Sequence, residues 1–242
     1  MEHFIFTNTG NRECNEDYAD VVKTSEGTFY IVADGLGGHG FGEAASKNAV
    51  LEAKRVAQQH QGKDICSIFE EIFFAANKKM AELQNQMGNN SYFKTTMVVL
   101  CVRDEDFIWG SIGDSRIYHF EENRIIERSM DHSVPQILVN AGKLQESKIR
   151  GHGDRSKLLK VLGAEQESVS PYIAELQPLT ETTSFLLCTD GFWECIKEKK
   201  MEKCLRKTES AEDWIEKMTV LIEKNRIVKC KDNYTAIGIR LR

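Results

Sequence analysis

Two helical stretches lie back to back in this chain, with strand patterns before and after them, and that order decides most about its fold. From Phe41 to Gln59, Ala45, Ala49, Ala53 and Val56 share one stripe. From Asp64 to Met87, Ile65, Ile68, Phe69, Ile72, Phe73, Ala76, Met80 and Leu83 repeat with a helical period. Strand patterns precede them at Phe4 to Phe6, Ala19 to Lys23 and Thr28 to Asp34. They return at Thr95 to Val102, Phe107 to Ile112, Ile117 to Phe120 and Arg124 to Glu127, spaced by hairpin-like turns as an antiparallel meander. A helix follows at Ser133 to Ala141, stopped by Gly142, then a buried strand at Ser184 to Thr189. Ser210 with Asp213 opens a further helix through Asn225. In the closing strand, Tyr234 to Leu241, Thr235, Ile237 and Ile239 alternate with Tyr234, Ala236 and Gly238. A parallel sheet needs a crossover helix between successive strands, and this order supplies none. The expectation is an α+β fold with two sheets packed face to face and covered by helices.

At 242 residues, with 41% hydrophobic and 29% charged residues and only 3 prolines, the chain can bury a substantial core as one unit, 1–242. A net charge of -5, with basic and acidic residues interspersed even between Lys197 and Lys207, argues against nucleic acid as a main partner. The longest apolar run, Met97 to Val102, is too short for a bilayer, so no membrane association and a cytoplasmic location are expected. The seven cysteines contain no C-x-x-C pair, which predicts reduced, mostly buried thiols.

Acids recur beside glycine or another small polar residue at strand ends: Asp34-Gly35, Gly113-Asp114, Asp190-Gly191 and Asp232-Asn233. Any single Asp-Gly pair reads as a turn. Ile31-Val32-Ala33-Asp34 and Leu186-Leu187-Cys188-Thr189-Asp190, however, run apolar directly into the acid. A carboxylate ending a buried run is costly unless paired or metal-bound. Convergent carboxylates repel one another and call for cations, and oxygen-only ligands select hard ions such as Mg2+ or Mn2+. Near the start, Arg12-Glu13-Cys14-Asn15-Glu16-Asp17 places an arginine, the side chain suited to a phosphate dianion, ahead of two acids.

The loop Gly35-Leu36-Gly37-Gly38-His39-Gly40 formally contains G-x-G-x-x-G. A dinucleotide site is disfavoured there, because Asp34 would put a negative charge beside the pyrophosphate and the next element after the first helix is another helix.

Together, Arg12-x-x-Asn15-Glu16-Asp17, Asp34-Gly35-Leu36-Gly37-Gly38-His39, Thr95-Thr96, Gly113-Asp114-Ser115-Arg116, Asp131-His132-Ser133, Leu162-Gly163, Asp190-Gly191 and Asp232-Asn233-x-Thr235 resemble, in order, the metal-dependent type 2C Ser/Thr protein phosphatases of the compact bacterial branch. The resemblance implies a four-layer αββα sandwich with a flap at about 133–163. It implies two Mn2+ or Mg2+ ions bridged by Asp34, one of them also bound by the Gly35 carbonyl and the other by Asp190 and Asp232. Asp114 is implied for a third, weaker site, Glu16 and Asp17 for metal contacts mostly through water, and Arg12 for the substrate phosphate. The activity implied is hydrolysis of phosphoserine and phosphothreonine by water held at the two metals. The implied partners are phosphorylated proteins, a Ser/Thr kinase or its substrates, with the chain acting as a monomer. The other reading on the same fold is a weak or inactive binding module, against which the retained Asp34, Asp190 and Asp232 argue. Leu36 stands where animal members place a histidine, Lys94 where a glycine is usual, and Ser156 where related flaps often carry Asn.

Overall fold

The computed structural model describes residues 1–37, 41–59, 62, 64–88, 92–164, 169–226 and 232–241. In chain order the elements are β1 (Glu2–Asn8), β2 (Asp17–Thr24), β3 (Gly27–Leu36), α1 (Phe41–Gln59), α2 (Ile65–Gln86), β4 (Lys94–Thr95), β5 (Met97–Val102), β6 (Asp106–Ile112), β7 (Arg116–Glu121), β8 (Arg124–Arg128), α3 (Val134–Asn140), β9 (Tyr172–Ile173), β10 (Gln177–Pro178), β11 (Ser184–Cys188), α4 (Asp190–Trp193), α5 (Glu198–Leu205), α6 (Ala211–Arg226) and β12 (Tyr234–Arg240). One sheet has the order β1-β12-β11-β7-β8 and the other β10-β6-β5-β3-β2, with every pairing antiparallel.

The central strands are apolar on both faces because both faces are covered. In β3, Phe29, Ile31 and Ala33 join Ala45, Ala49, Phe69 and Ile72 of α1 and α2, while Tyr30 and Val32 point between the sheets. In β12, Ile237 and Ile239 also face the inter-sheet core, where they meet Phe185 and Leu187 of β11. Ala236 turns the other way, toward Trp214 and Met218 of α6. Period-2 alternation thus sorts side chains into different cores rather than into core and solvent. The result is the four-layer αββα arrangement. Asp64 caps α2, accepting from the Ser67 N–H at 3.1 Å, as the sequence pattern requires.

Three expectations change. The meander at 95–127 is divided between sheets, β5 and β6 in one and β7 and β8 in the other. The crossing falls at Gly113 (φ +97), where an added Cβ would stand 2.5 Å from Thr96 Cγ2. The charged stretch after Trp193 holds a helix, α5, whose apolar stripe of Met201, Cys204 and Leu205 is too thin to announce it, and α4 is a single turn. Cys195 is disulfide-bonded, against the expectation of reduced thiols throughout. Cys14, Cys66, Cys101, Cys188 and Cys204 are free, and Cys230 lies outside the described residues.

Far from the acid-bearing strand ends, Glu121 ties the end of β7 to the loop before β11. It accepts hydrogen bonds from Thr183 (2.5 Å), Thr180 (2.6 Å) and Thr182 (2.8 Å), and shares one with His119 Nε2 at 2.9 Å. Burial alone would raise this carboxyl, but the hydrogen bonds outweigh it and bring the pKa down to about 2. Because the folded pKa lies below the unfolded one, the stabilisation is full above about pH 4.5 and is lost as pH falls toward 2. Glu121→Gln is expected to cost on the order of 1 kcal/mol at pH 7, after allowance for solvent screening. Urea unfolding at pH 7 and pH 3 should show the difference between variant and parent shrinking at the lower pH.

Candidate active site

The acids gather where β3, the β6–β7 turn, the start of α4 and the entry to β12 meet. Asp34 ends the buried part of β3 and is fixed by its backbone: its N–H donates to Thr96 Oγ1 (3.1 Å), and its carbonyl accepts from Thr96 N–H (2.9 Å) and Thr95 Oγ1 (2.8 Å). Asp17 lies opposite Asp34 in the β2–β3 register. Its Oδ2 accepts from Thr189 Oγ1 at 2.9 Å. Gly35 lets α1 start against β3, since a Cβ there would sit 2.0 Å from the Gly42 carbonyl oxygen. At Gly42 a Cβ would meet Glu16 Oε1 at 2.4 Å. The absence of both side chains admits the Glu16 carboxylate, whose Oε1 is buried without a hydrogen-bond partner among the described residues.

Asn233 knits the other side. Its Oδ1 accepts from Glu16 N–H (2.9 Å), and its Nδ2 donates to the carbonyls of Thr9 (2.7 Å) and Cys14 (3.0 Å). The segment carrying Arg12 is thereby tied to Asp232. Arg12 Nη2 reaches Asp232 Oδ2 at 2.7 Å, with both side chains partly exposed (55% and 40%). Gly191 keeps α4 close to this strand, because a Cβ would fall 1.9 Å from Asn233 O.

These acids raise one another. Burial and then Asp17, Asp190, Asp114 and Asp232 push Asp34 well above the usual carboxylate range. Burial, with Asp190 and Asp232, lifts Asp17 to about 8 against the hydrogen bonds from Thr189 and Thr235. Burial, Glu194 and Asp232 lift Asp190 to about 7, opposed by a side-chain hydrogen bond with Asp34. Asp114 is raised by burial, Asp190 and Asp131, with Arg116 pulling it back. Burial also raises Glu16, against the pull of Arg12.

Arg116 anchors the Asp114 side. It is buried, with a forked pair of bonds to Asp131, Nε to Oδ1 and Nη2 to Oδ2, both 2.7 Å. Its guanidinium lies 3.4 Å from the Trp193 ring centroid, and Trp193 Nε1 donates to the Asp114 carbonyl at 2.9 Å. Arg150, in the 3-10 turn Glu146–Gly151, holds Glu198 through Nη2 at 2.6 Å and Nη1 at 3.0 Å, and donates to the Trp193 carbonyl at 3.1 Å. His132 is a structural residue: its Nδ1 accepts from Gly113 N–H at 3.2 Å, and burial followed by Lys160 lowers its pKa to about 4, so the ring is neutral.

Two groups escaped sequence reasoning. Glu194 follows Asp190 at helical spacing, its N–H bonded to the Asp190 carbonyl at 2.9 Å, and that i,i+4 relation is the signal that could have found it. Arg155 reaches Glu194 at 2.9 Å from the 133–163 segment, within the fields of Asp190 and Asp232. Gly38, His39 and Gly40 lie outside the described residues.

As the side chains stand, no three His, Cys, Asp or Glu among the described residues surround one point closely enough to hold an ion. Asp232 leans on Arg12, and Asp34 bonds Asp190. The donor set nonetheless fits hard divalent cations. It is oxygen only, its members raise one another's pKa, and Glu16 Oε1 is buried and unsatisfied.

A two-sheet αββα sandwich with clustered acids at the strand ends defines a phosphatase-type hydrolase scaffold. The chain belongs to the protein phosphatase 2C family, whose model matches residues 7–231. It is 29% identical to the serine/threonine phosphatase stp of Listeria welshimeri serovar 6b over 241 residues, covering 93% of this chain and 90% of that one. Its fold is similar to the crystal structure of serine/threonine phosphatase Stp1 from Staphylococcus aureus, with a TM-score of 0.90 at 26% identity over 100% of this chain and 95% of that one. The catalytic domain of PstP, crystallised in complex with 2 manganese ions, shares the fold at 21% identity with a TM-score of 0.82, covering 98% of this chain and 96% of that one.

Proposed function

We propose that the chain is a Mn2+- or Mg2+-dependent protein phosphatase that hydrolyses phosphoserine and phosphothreonine in the cytoplasm, acting as a monomer and opposing a Ser/Thr kinase. The observation that carries the reading is the convergence of Asp17, Asp34, Asp114 and Asp190, all raised chiefly by burial, beside Asp232 and Arg12, an oxygen-only cluster that calls for cations. Its residues take the roles the family resemblance implies. Asp34, with the Gly35 carbonyl, Asp190 and Asp232, would hold the two ions, Asp114 would hold a third, and Glu16 and Asp17 would contact them mostly through water. When bound, such cations lower the pKa of water and neutralise charge on the phosphoryl group. Arg12 stands beside Asp232 and is exposed enough to receive a phosphate dianion through its fork. Leu36 has no proton to give, so the leaving alkoxide takes its proton from another group. Segment 133–163 acts as the flap, held at its return by Gly163, whose N–H donates to Asn77 Oδ1 (2.8 Å) and whose carbonyl accepts from Gln84 Nε2 (2.8 Å).

The test is hydrolysis of p-nitrophenyl phosphate and of a phosphothreonine peptide, with and without Mn2+. Turnover that needs the metal, stops in EDTA and resists thiol alkylation is expected. No turnover with any divalent cation overturns the reading.

A further inference from the structure

The interspersed charges of residues 197–207 are sorted by the helix they form. Glu198 turns inward to Arg150, at 2.6 Å, and Glu202 accepts from the Ile125 N–H at 3.1 Å. Lys200 and Lys203 of α5, with Lys207 just beyond its end, gather on the other side, where Lys217 of α6 joins them. These four side chains rim a groove of about 270 Å3 floored by Cys204, Val220 and Leu221. Burial raises the Cys204 thiol's pKa, and Lys217, Lys200, Lys203 and Lys207, which share the groove with it, pull the other way. Lys217 Nζ donates to the Lys207 carbonyl at 3.3 Å, and among the described residues none of the four is in an ion pair. Val220 is 50% exposed.

A concave apolar floor inside a cationic rim suits a ligand that is apolar at its centre and acidic at its edges. The adjoining hollow is shared by Lys207 and Lys217 with Glu209, Asp213 and Glu216, acids that would face a flat anionic membrane with repulsion. An extended peptide can follow the lysines and leave those acids in water. The groove's volume holds one or two side chains.

We propose that the groove between α5 and α6 docks an acidic segment of a partner protein, seating an apolar side chain on Cys204, Val220 and Leu221 and flanking carboxylates on Lys200, Lys203, Lys207 and Lys217. The docking is independent of the phosphatase reading and needs no metal.

The probe is a fluorescein-labelled peptide, Glu-Glu-Asp-Leu-Phe-Asp-Glu-Glu, titrated with the whole chain in EDTA and followed by anisotropy. Saturable binding that weakens with salt is expected, reduced about tenfold or more by Lys203→Glu/Lys217→Glu and unchanged by Lys47→Glu/Lys78→Glu on α1 and α2. A peptide with Ser-Ser in place of Leu-Phe should bind at least about fivefold more weakly. Circular dichroism confirms that each variant is folded. Binding that ignores Lys203→Glu/Lys217→Glu, equal binding of the Ser-Ser peptide, or no binding at all overturns the proposal. So does retention on phosphatidylglycerol vesicles through the same lysines with no peptide binding.

Discussion

Asp34→Asn should lower Mn2+-dependent kcat/KM by about a thousandfold or more, on the order of 4 kcal/mol of transition-state stabilisation, without unfolding the chain. Asp34 sits where the fields of Asp17, Asp190, Asp114 and Asp232 meet, so it is the carboxylate a pair of cations would share. An amide offers one neutral oxygen in place of a carboxylate's two anionic ones, and a bridge between two ions is lost. The backbone bonds that hold residue 34, to Thr95 and Thr96, do not involve the carboxylate and survive the change. Asp34 and Asp190 can bond each other only with a proton between them, and an amide N–H can supply that bond instead, so the melting temperature in EDTA should hold level. A steep fall in stability would show instead that Asp34 is structural. Side-by-side kinetics and thermal melts separate the two.

Arg116→Met is expected to destabilise the fold by about 3 kcal/mol, the penalty for leaving a buried carboxylate with only the longer Arg128 contact, 3.5 Å from Oδ1, in place of its forked partner. The Asp131 side chain is 1% exposed and takes both of its close bonds from Arg116. Arg116→Lys keeps the charge but gives up the fork and the flat contact on Trp193, so its loss should be smaller yet substantial. Arg116→Met/Asp131→Leu should recover most of the stability, because no orphaned charge remains. Urea denaturation of the three variants reads the ordering directly. A double variant as unstable as Arg116→Met would mean that the guanidinium acts chiefly through Trp193 and the Asp114 turn rather than through Asp131.

The parts of this molecule legible in its sequence are those where a local pattern has one physical outcome. The stripes of α1 and α2 permit only helices with one buried face, and a run such as Ile31-Val32-Ala33 permits only a strand covered on both sides. Asp34 and Asp190 stood out because an apolar run ends in a charge. What stayed hidden depends on partners distant in sequence. Nothing near Arg116 announces Trp193, 77 positions later, and no spacing rule joins Arg155 to Glu194. The change of sheet at Gly113 was invisible because both halves of the meander are good antiparallel strands, and only the choice of neighbour separates them. α5 was missed because its stripe is short, Met201, Cys204 and Leu205, and its charges alternate in sequence while separating in space.

Anomalous diffraction at the manganese edge, from crystals soaked in Mn2+, would locate any bound ions directly. Two peaks are expected with Asp34 between them, one beside the Gly35 carbonyl and the other contacted by Asp190 and an Asp232 turned away from Arg12. Full soaks with no peak among these acids, and the Arg12–Asp232 pair still closed, would contradict a metal-dependent hydrolase.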